Sequence, residues 1–168
     1  MDRAKGFSLI ELLIVVAVIL VIAAIAIPNL LRARIAANES SAVSTIRQIS
    51  TAEVSYQSTY PAVGYAADLP SLGGPVGCSP TPAHACILDS AVSTGSKSGY
   101  QLFAAGFASA GSPTNTQFVA SSAPQVFNTT GVRSFCAATD DGTIRAQQGV
   151  TGGTPAPDLP TCLAYPQM

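Results

Sequence analysis

Lys5-Gly6-Phe7-Ser8-Leu9-Ile10-Glu11-Leu12-Leu13-Ile14-Val15-Val16-Ala17-Val18-Ile19-Leu20-Val21-Ile22-Ala23-Ala24-Ile25-Ala26-Ile27-Pro28 decides the fold. Between Phe7 and Leu31 the only ionisable side chain is Glu11. These 25 residues, as a helix rising about 1.5 Å per residue, reach roughly 37 Å, enough to cross the hydrocarbon core of a bilayer. Glu11 stands out, because a carboxylate inside a membrane helix costs several kcal/mol unless it is protonated or paired. Its own apolar segment offers no side-chain partner, so the residue reads as a site. In a bundle of such helices, a positive amine beside Glu11 would compensate the charge. A misplaced register would leave the charge unpaired in a low dielectric.

Gly6-Phe7-Ser8-Leu9-Ile10-Glu11 followed by the apolar run resembles the prepilin signature of type IV pilins and type II secretion pseudopilins. The likeness covers roughly residues 1–60; further on, the chain resembles pilins only in general layout. By this resemblance a membrane prepilin peptidase cuts between Gly6 and Phe7 and methylates the new amine of Phe7. The mature subunit waits in the inner membrane as a single span. An inner-membrane assembly platform then draws it into a helical homopolymer, where Glu11 faces the Phe7 amine of a neighbouring copy. A plain secretory signal is the competing reading, with Arg3 and Lys5 as its basic region and Ala24-Ile25-Ala26 as its cleavage site. The apolar run exceeds the usual 7–15 residues of such signals, and Glu11 has no use there. A simple membrane anchor is the third reading. Basic residues flank both ends, Arg3 and Lys5 on one side and Arg32 and Arg34 on the other, so local charge does not set the orientation.

The 168 residues leave room for one modest domain beyond the span. Only 10% of residues are charged and the formal net charge is −1. Removing residues 1–6 leaves six basic and eight acidic residues, and the scattered cations form no nucleic-acid patch. Four cysteines all lie beyond the span. That placement suits an oxidising compartment, and with the resemblance it sets the C-terminal part outside the cytoplasm.

Pro28 interrupts an otherwise helical run and predicts a kink or local melt around residues 23–28; in resembling filaments this region loses helicity as the fibre stretches. From Asn29 an amphipathic helix follows, with Ile35, Ala42, Val43, Ile46, Ile49 and Tyr56 as its apolar stripe. Arg32, Arg34, Glu39, Arg47 and Gln48 supply its polar surface, and Glu53 reads as a solvated edge. Pro61 should end the helix at Tyr60. Residues 61–97 are rich in proline and glycine and read as loop, with Leu69 and Leu72 anchored on the helix.

Alternation from Gly99 through Ala104 marks the start of a sheet. Residues 117–120 and 124–127 suggest further strand around a break. The runs 132–139 and 143–147 flank Asp140-Asp141-Gly142, a hairpin signal. Calcium at these acids is the weaker reading, since two acids and a glycine do not supply six to eight oxygens. Cys78 and Cys86 are eight residues apart, which favours a local disulfide. Cys162 in the Gly/Pro-rich tail has Cys136 as its natural partner, resembling the disulfide-bounded loop of many pilins, although four cysteines allow three pairings.

The expected fold is α+β and pilin-like: a long N-terminal α-helix, half membrane-spanning and half amphipathic, packed on a small antiparallel sheet. The expected divisions are a leader at 1–6, a filament-core helix at 7–30, an amphipathic helix at 31–60, a connecting region at 61–98 and a sheet at 99–168. No nucleophile stands beside a base, His84 lies in a proline-rich loop, and no phosphate-binding glycine loop follows a strand. The reading excludes an enzyme, a cofactor and a metal site. It favours a major pilin, with a pseudopilin or a non-polymerising anchored binding module as alternatives. By the resemblance the surface filament serves adhesion, twitching motility or DNA uptake. Aromatics near the helix are too sparse for a continuous stack, and Asn38 and Asn128 begin N-x-S/T sequons.

Overall fold

A computed structural model describes residues 8–139 and 141–168; the leader, the Gly6–Phe7 cleavage site and Asp140 lie outside them. The chain divides into two units, residues 1–34 and 35–168. One helix, α1 (Leu9–Thr59), contributes to both and carries Pro28 inside it. Residues 23–28 are helical in this structure. The helix ends one residue before Tyr60, where Pro61 restricts the preceding backbone.

In the first unit, the start of α1 carries the glutamate half of a capping box. Ser8 O accepts from Leu12 N at 3.3 Å, which makes Ser8 the cap. Glu11, three residues on, returns Oε2 to Ser8 N at 3.0 Å. Every large apolar side chain from Leu9 to Leu31 is exposed, from 79% at Leu9 to 43% at Leu31. Among the described residues, α1 is the helix long and apolar enough to cross a membrane.

The second unit is a five-stranded antiparallel meander in the order β1-β2-β3-β4-β5. Its strands are β1 (Ser96–Lys97), β2 (Tyr100–Ala108), β3 (Asn115–Pro124), β4 (Arg133–Ala138) and β5 (Ile144–Gln148). The sheet thus begins at Ser96, three residues before the expected Gly99. Strand β3 runs unbroken through Ser121 and Ser122, where a break was expected. Two adjacent serines suggest a turn in isolation, but here each is paired on both sides: Ser121 lies between Phe103 and Cys136, and Ser122 between Leu102 and Phe135. The β4–β5 hairpin forms as expected, with Ala137 opposite Ile144.

Both faces of the sheet are covered. Ala42, Ile46, Ile49, Ala52 and Tyr56 of α1 pack with Tyr100, Leu102, Ala104, Phe118, Ala120 and Phe135 on one face. On the other, Val119, Cys136 and Ala138 meet Ala156, Cys162 and Tyr165 of the C-terminal tail. Cys136–Cys162 and Cys78–Cys86 are disulfides. Ser121 Oγ also binds the tail, donating to Ala156 O at 2.8 Å. The tail then covers the outer edge of β5, where Ala146 N donates to Pro166 O at 2.9 Å.

The connecting region is more ordered than a loop reading suggests. It contains the one-turn helices α2 (Leu69–Leu72) and α3 (Ser90–Ser93), and the tail contains α4 (Leu159–Leu163). Each opens on an aspartate cap: Asp68 accepts from Ser71 N, Asp89 from Val92 N, and Asp158 from Thr161 N, all at 2.9 Å. The paired sequences Asp68-Leu69-Pro70-Ser71 and Asp158-Leu159-Pro160-Thr161 spell the same cap followed by proline in the first turn. Leu69 and Leu72 are buried in the core beside α1, as expected.

Candidate assembly segment

The candidate segment is the first unit's stretch of α1. Its exposed apolar surface has no partner within the unit, and burial of such surface is worth about 25 cal/mol per Å². Glu11 sits on that surface, one turn from the helix start. The sequence reading left Glu11 without a partner in its own segment; the structure supplies one in the main-chain amide of Ser8. The signal was present in Ser8-Leu9-Ile10-Glu11, which matches S-x-x-E. A carboxylate at this position also complements the positive end of the helix dipole. Arg32 and Arg34 are exposed near the other end of the run, and neither is in an ion pair among the described residues.

Within the second unit, two glutamates expected at the helix surface are buried. Glu39 is 7% exposed. Its Oε1 accepts from Val132 N and Arg133 N at 3.0 and 3.1 Å, and its Oε2 binds the Arg133 guanidinium at 2.9 and 2.7 Å. The guanidinium lies 5.3 Å from the centre of the Phe135 ring. Tyr100 Oη donates to Arg133 O at 2.9 Å, so both the amide and the carbonyl of Arg133 are held by side chains.

Glu53 is not a solvated edge. It is 0% exposed, and its Oε2 accepts from Ala66 N at 2.8 Å. Its Oε1 is buried with no hydrogen-bond partner. Burial is the largest influence on this carboxyl and raises its pKa from 4.5 to about 7; the Ala66 amide works the other way, and the charge of Asp68 adds to the rise. Helical spacing gave no sign of this, because the partner amide belongs to the chain's return after α1.

Asp141 is engaged by Thr143 N at 3.1 Å and by the Arg145 guanidinium. These partners hold its carboxyl below the usual range, the bonds from Thr143 contributing most. A carboxylate so committed suits the hairpin better than a cation site. Of the two sequons, Asn38 donates its side-chain amide to Thr130 O at 2.9 Å, whereas Asn128 is exposed on a turn. His84 lies exposed in its loop.

Residues 1–27 match the family of the prokaryotic N-terminal methylation motif. The major component of the type IV wide pilus of Thermus thermophilus is 62% identical over 40 residues, covering 24% of this chain and 30% of that protein. The type IV major pilin of Myxococcus xanthus is 44% identical over 54 residues, covering 32% of this chain and 24% of the pilin. The chain therefore spans less than a third of the length of either curated relative. No solved structure matches it. The N-terminal segment carries a prepilin-type methylation motif and is similar to that of type IV pilins.

Proposed function

We propose that this chain is a structural pilin, the major subunit of a type IV pilus, rather than an enzyme. The observation that carries the reading is the juxtaposition in the first unit. A helix start of prepilin type leads directly into an apolar surface exposed all round, with one carboxylate on it. Such a surface needs lipid before assembly and other copies of itself afterwards. Prepilin peptidase cuts between Gly6 and Phe7 and methylates Phe7. Residues 7–30 hold the subunit in the inner membrane until the assembly platform adds it to the filament. There Glu11 sets the stagger between copies by meeting the Phe7 amine of a neighbour, and Pro28 is where α1 yields when the fibre is packed or stretched. The filament emerges at the cell surface and serves adhesion, twitching motility or DNA uptake.

Mass spectrometry of the N-terminus from native material tests the processing step. A chain beginning at N-methylated Phe7 supports it. A start at Ile27 indicates an ordinary secretory signal, and an intact Met1 in cells that contain the peptidase indicates a simple anchor. Glu11→Ala tests the assembly step. The variant should accumulate in the membrane, processed and folded, without forming filaments; normal filaments would overturn the role of Glu11.

A further inference from the structure

We propose that Glu53 is a pH-sensitive fastening that ties the strap formed by residues 60–68 to α1 and releases it on ionisation. The strap is the first segment to leave α1 and turn back toward the sheet. Beyond Tyr60, which stays on α1 through Tyr56, two sets of hydrogen bonds fasten it. Asn115, at the start of β3, holds one: its carbonyl accepts from Tyr65 N at 2.9 Å, its side-chain amide donates to Tyr65 O at 3.0 Å, and its N–H donates to Val63 O at 3.0 Å. The Tyr65 ring stacks tilted on Phe118, with centroids 4.9 Å apart. Glu53 is the other fastening, and its bond to the strap is made by a carboxyl.

The environment of Glu53 selects the neutral acid. One oxygen is satisfied by Ala66 N and the other is buried without a donor. An ionised carboxylate accepts at both oxygens, so the orphaned one costs most when charged. The two ion pairs among the described residues, Arg133–Glu39 and Arg145–Asp141, do not include Glu53. The titratable groups that act on it or feel it are Tyr56 on α1 and Tyr65 and Asp68 on the strap, none of them cationic. The sheet face beneath α1 presents Leu102, Ala104, Phe118 and Ala120. Its remaining phenol, Tyr100, donates to the Arg133 carbonyl, and its one cation, the Arg133 guanidinium, is engaged with Glu39.

The direction of the effect follows from linkage. The carboxyl's pKa is about 7 in the closed arrangement against an ordinary 4.5. The stabilisation of the closed strap is therefore complete below pH 4.5 and is lost as pH rises through 7. Between pH ~6 and ~8.5 the population of the undocked strap rises about tenfold and then levels off.

Hydrogen exchange by mass spectrometry on the full chain in zwitterionic detergent tests this, with rates corrected for the intrinsic effect of pH. In the wild type, protection of the peptide containing Ala66 should fall about tenfold across that range. Peptides from β3 and β4 should keep theirs. Glu53→Gln, which cannot ionise, should remove the pH response. An infrared titration provides a second readout: a protonated carboxyl should persist at pH ~6 and vanish by ~8.5 in the wild type, and should be missing from Glu53→Gln, which separates it from Glu11. A flat exchange profile in the wild type, an unchanged response in Glu53→Gln, or no protonated carboxyl at pH ~6 would each overturn the proposal.

Discussion

Glu39→Ala should loosen the buried side of α1 from the sheet. The carboxylate receives four hydrogen bonds, two from main-chain amides of the 132–133 stretch and two from the Arg133 guanidinium. The guanidinium side chain is 49% exposed. On truncation it returns to water, so its share is about 0.5–1 kcal/mol, as for other solvent-screened pairs. The two amides lose a charged acceptor, and hydrogen bonds to charged groups contribute about 1.5–3 kcal/mol each. Val132 is only half-buried and Arg133 is exposed, so water compensates part of the loss and the lower end applies. The expected cost is therefore about 3.5–4 kcal/mol. For a folded unit of this size that lowers the melting temperature by roughly 10 °C. Glu39→Gln keeps an oxygen for the amides and loses only the charge, so it should cost about half as much. Thermal unfolding of the full chain in detergent, followed by circular dichroism, measures both. If Glu39→Ala melts within about 2 °C of the wild type, the bonds seen here do not hold α1 to β4. If Ala and Gln are equal, the main-chain amides are not what the carboxylate serves.

Gly131→Ala should destabilise by about 1–3 kcal/mol through overpacking, because a Cβ there would stand 2.0 Å from the Tyr100 hydroxyl; the midpoint of urea unfolding reports it, and Tyr100→Phe in the same chain should recover part of the loss. Replacing Cys136 and Cys162 together by serine opens a closure with a sequence separation of 26 and should cost about 3.5 kcal/mol on a loop-entropy accounting. Limited proteolysis should then cut the tail between residues 150 and 168 before the sheet, whereas loss of the Cys78–Cys86 bridge should leave the tail protected. Asp158→Ala removes the cap of α4 and should cost about 1 kcal/mol, visible as faster amide exchange confined to the tail.

What the sequence disclosed about the fold depended on how local the cause was. The apolar run, the stop at Pro61 and the Asp-Gly hairpin all act within a few residues of themselves, and the structure contains the helix, its end near Tyr60 and the β4–β5 hairpin. The paired Ser121-Ser122 misled because their strand character comes from neighbours on either side, at positions 102–103 and 135–136. The short helices of the connecting region escaped notice although their aspartate caps were written three residues ahead of each satisfied amide. Proline and glycine dominated the reading there, yet proline in a first helical turn starts helices as readily as it ends them.

The chain's three glutamates, Glu11, Glu39 and Glu53, all lie on α1, and they show the same limit in graded form. Each carboxylate does one chemical thing: it accepts from main-chain amides that would otherwise be unpaired. The amides lie three residues away for Glu11, thirteen for Glu53 and more than ninety for Glu39. The nearest was spelled in a tetrapeptide. The second required knowing that the chain turns back over α1 once it ends. The third required the complete sheet, since only the meander brings Val132 and Arg133 beside the helix. Helical periodicity assigns Glu39 to the polar surface and Glu53 to its solvated edge. What draws Glu39 and Glu53 inward is main-chain amides that take a carboxylate as acceptor, and those amides are brought to α1 by tertiary structure rather than by the helix that meets them.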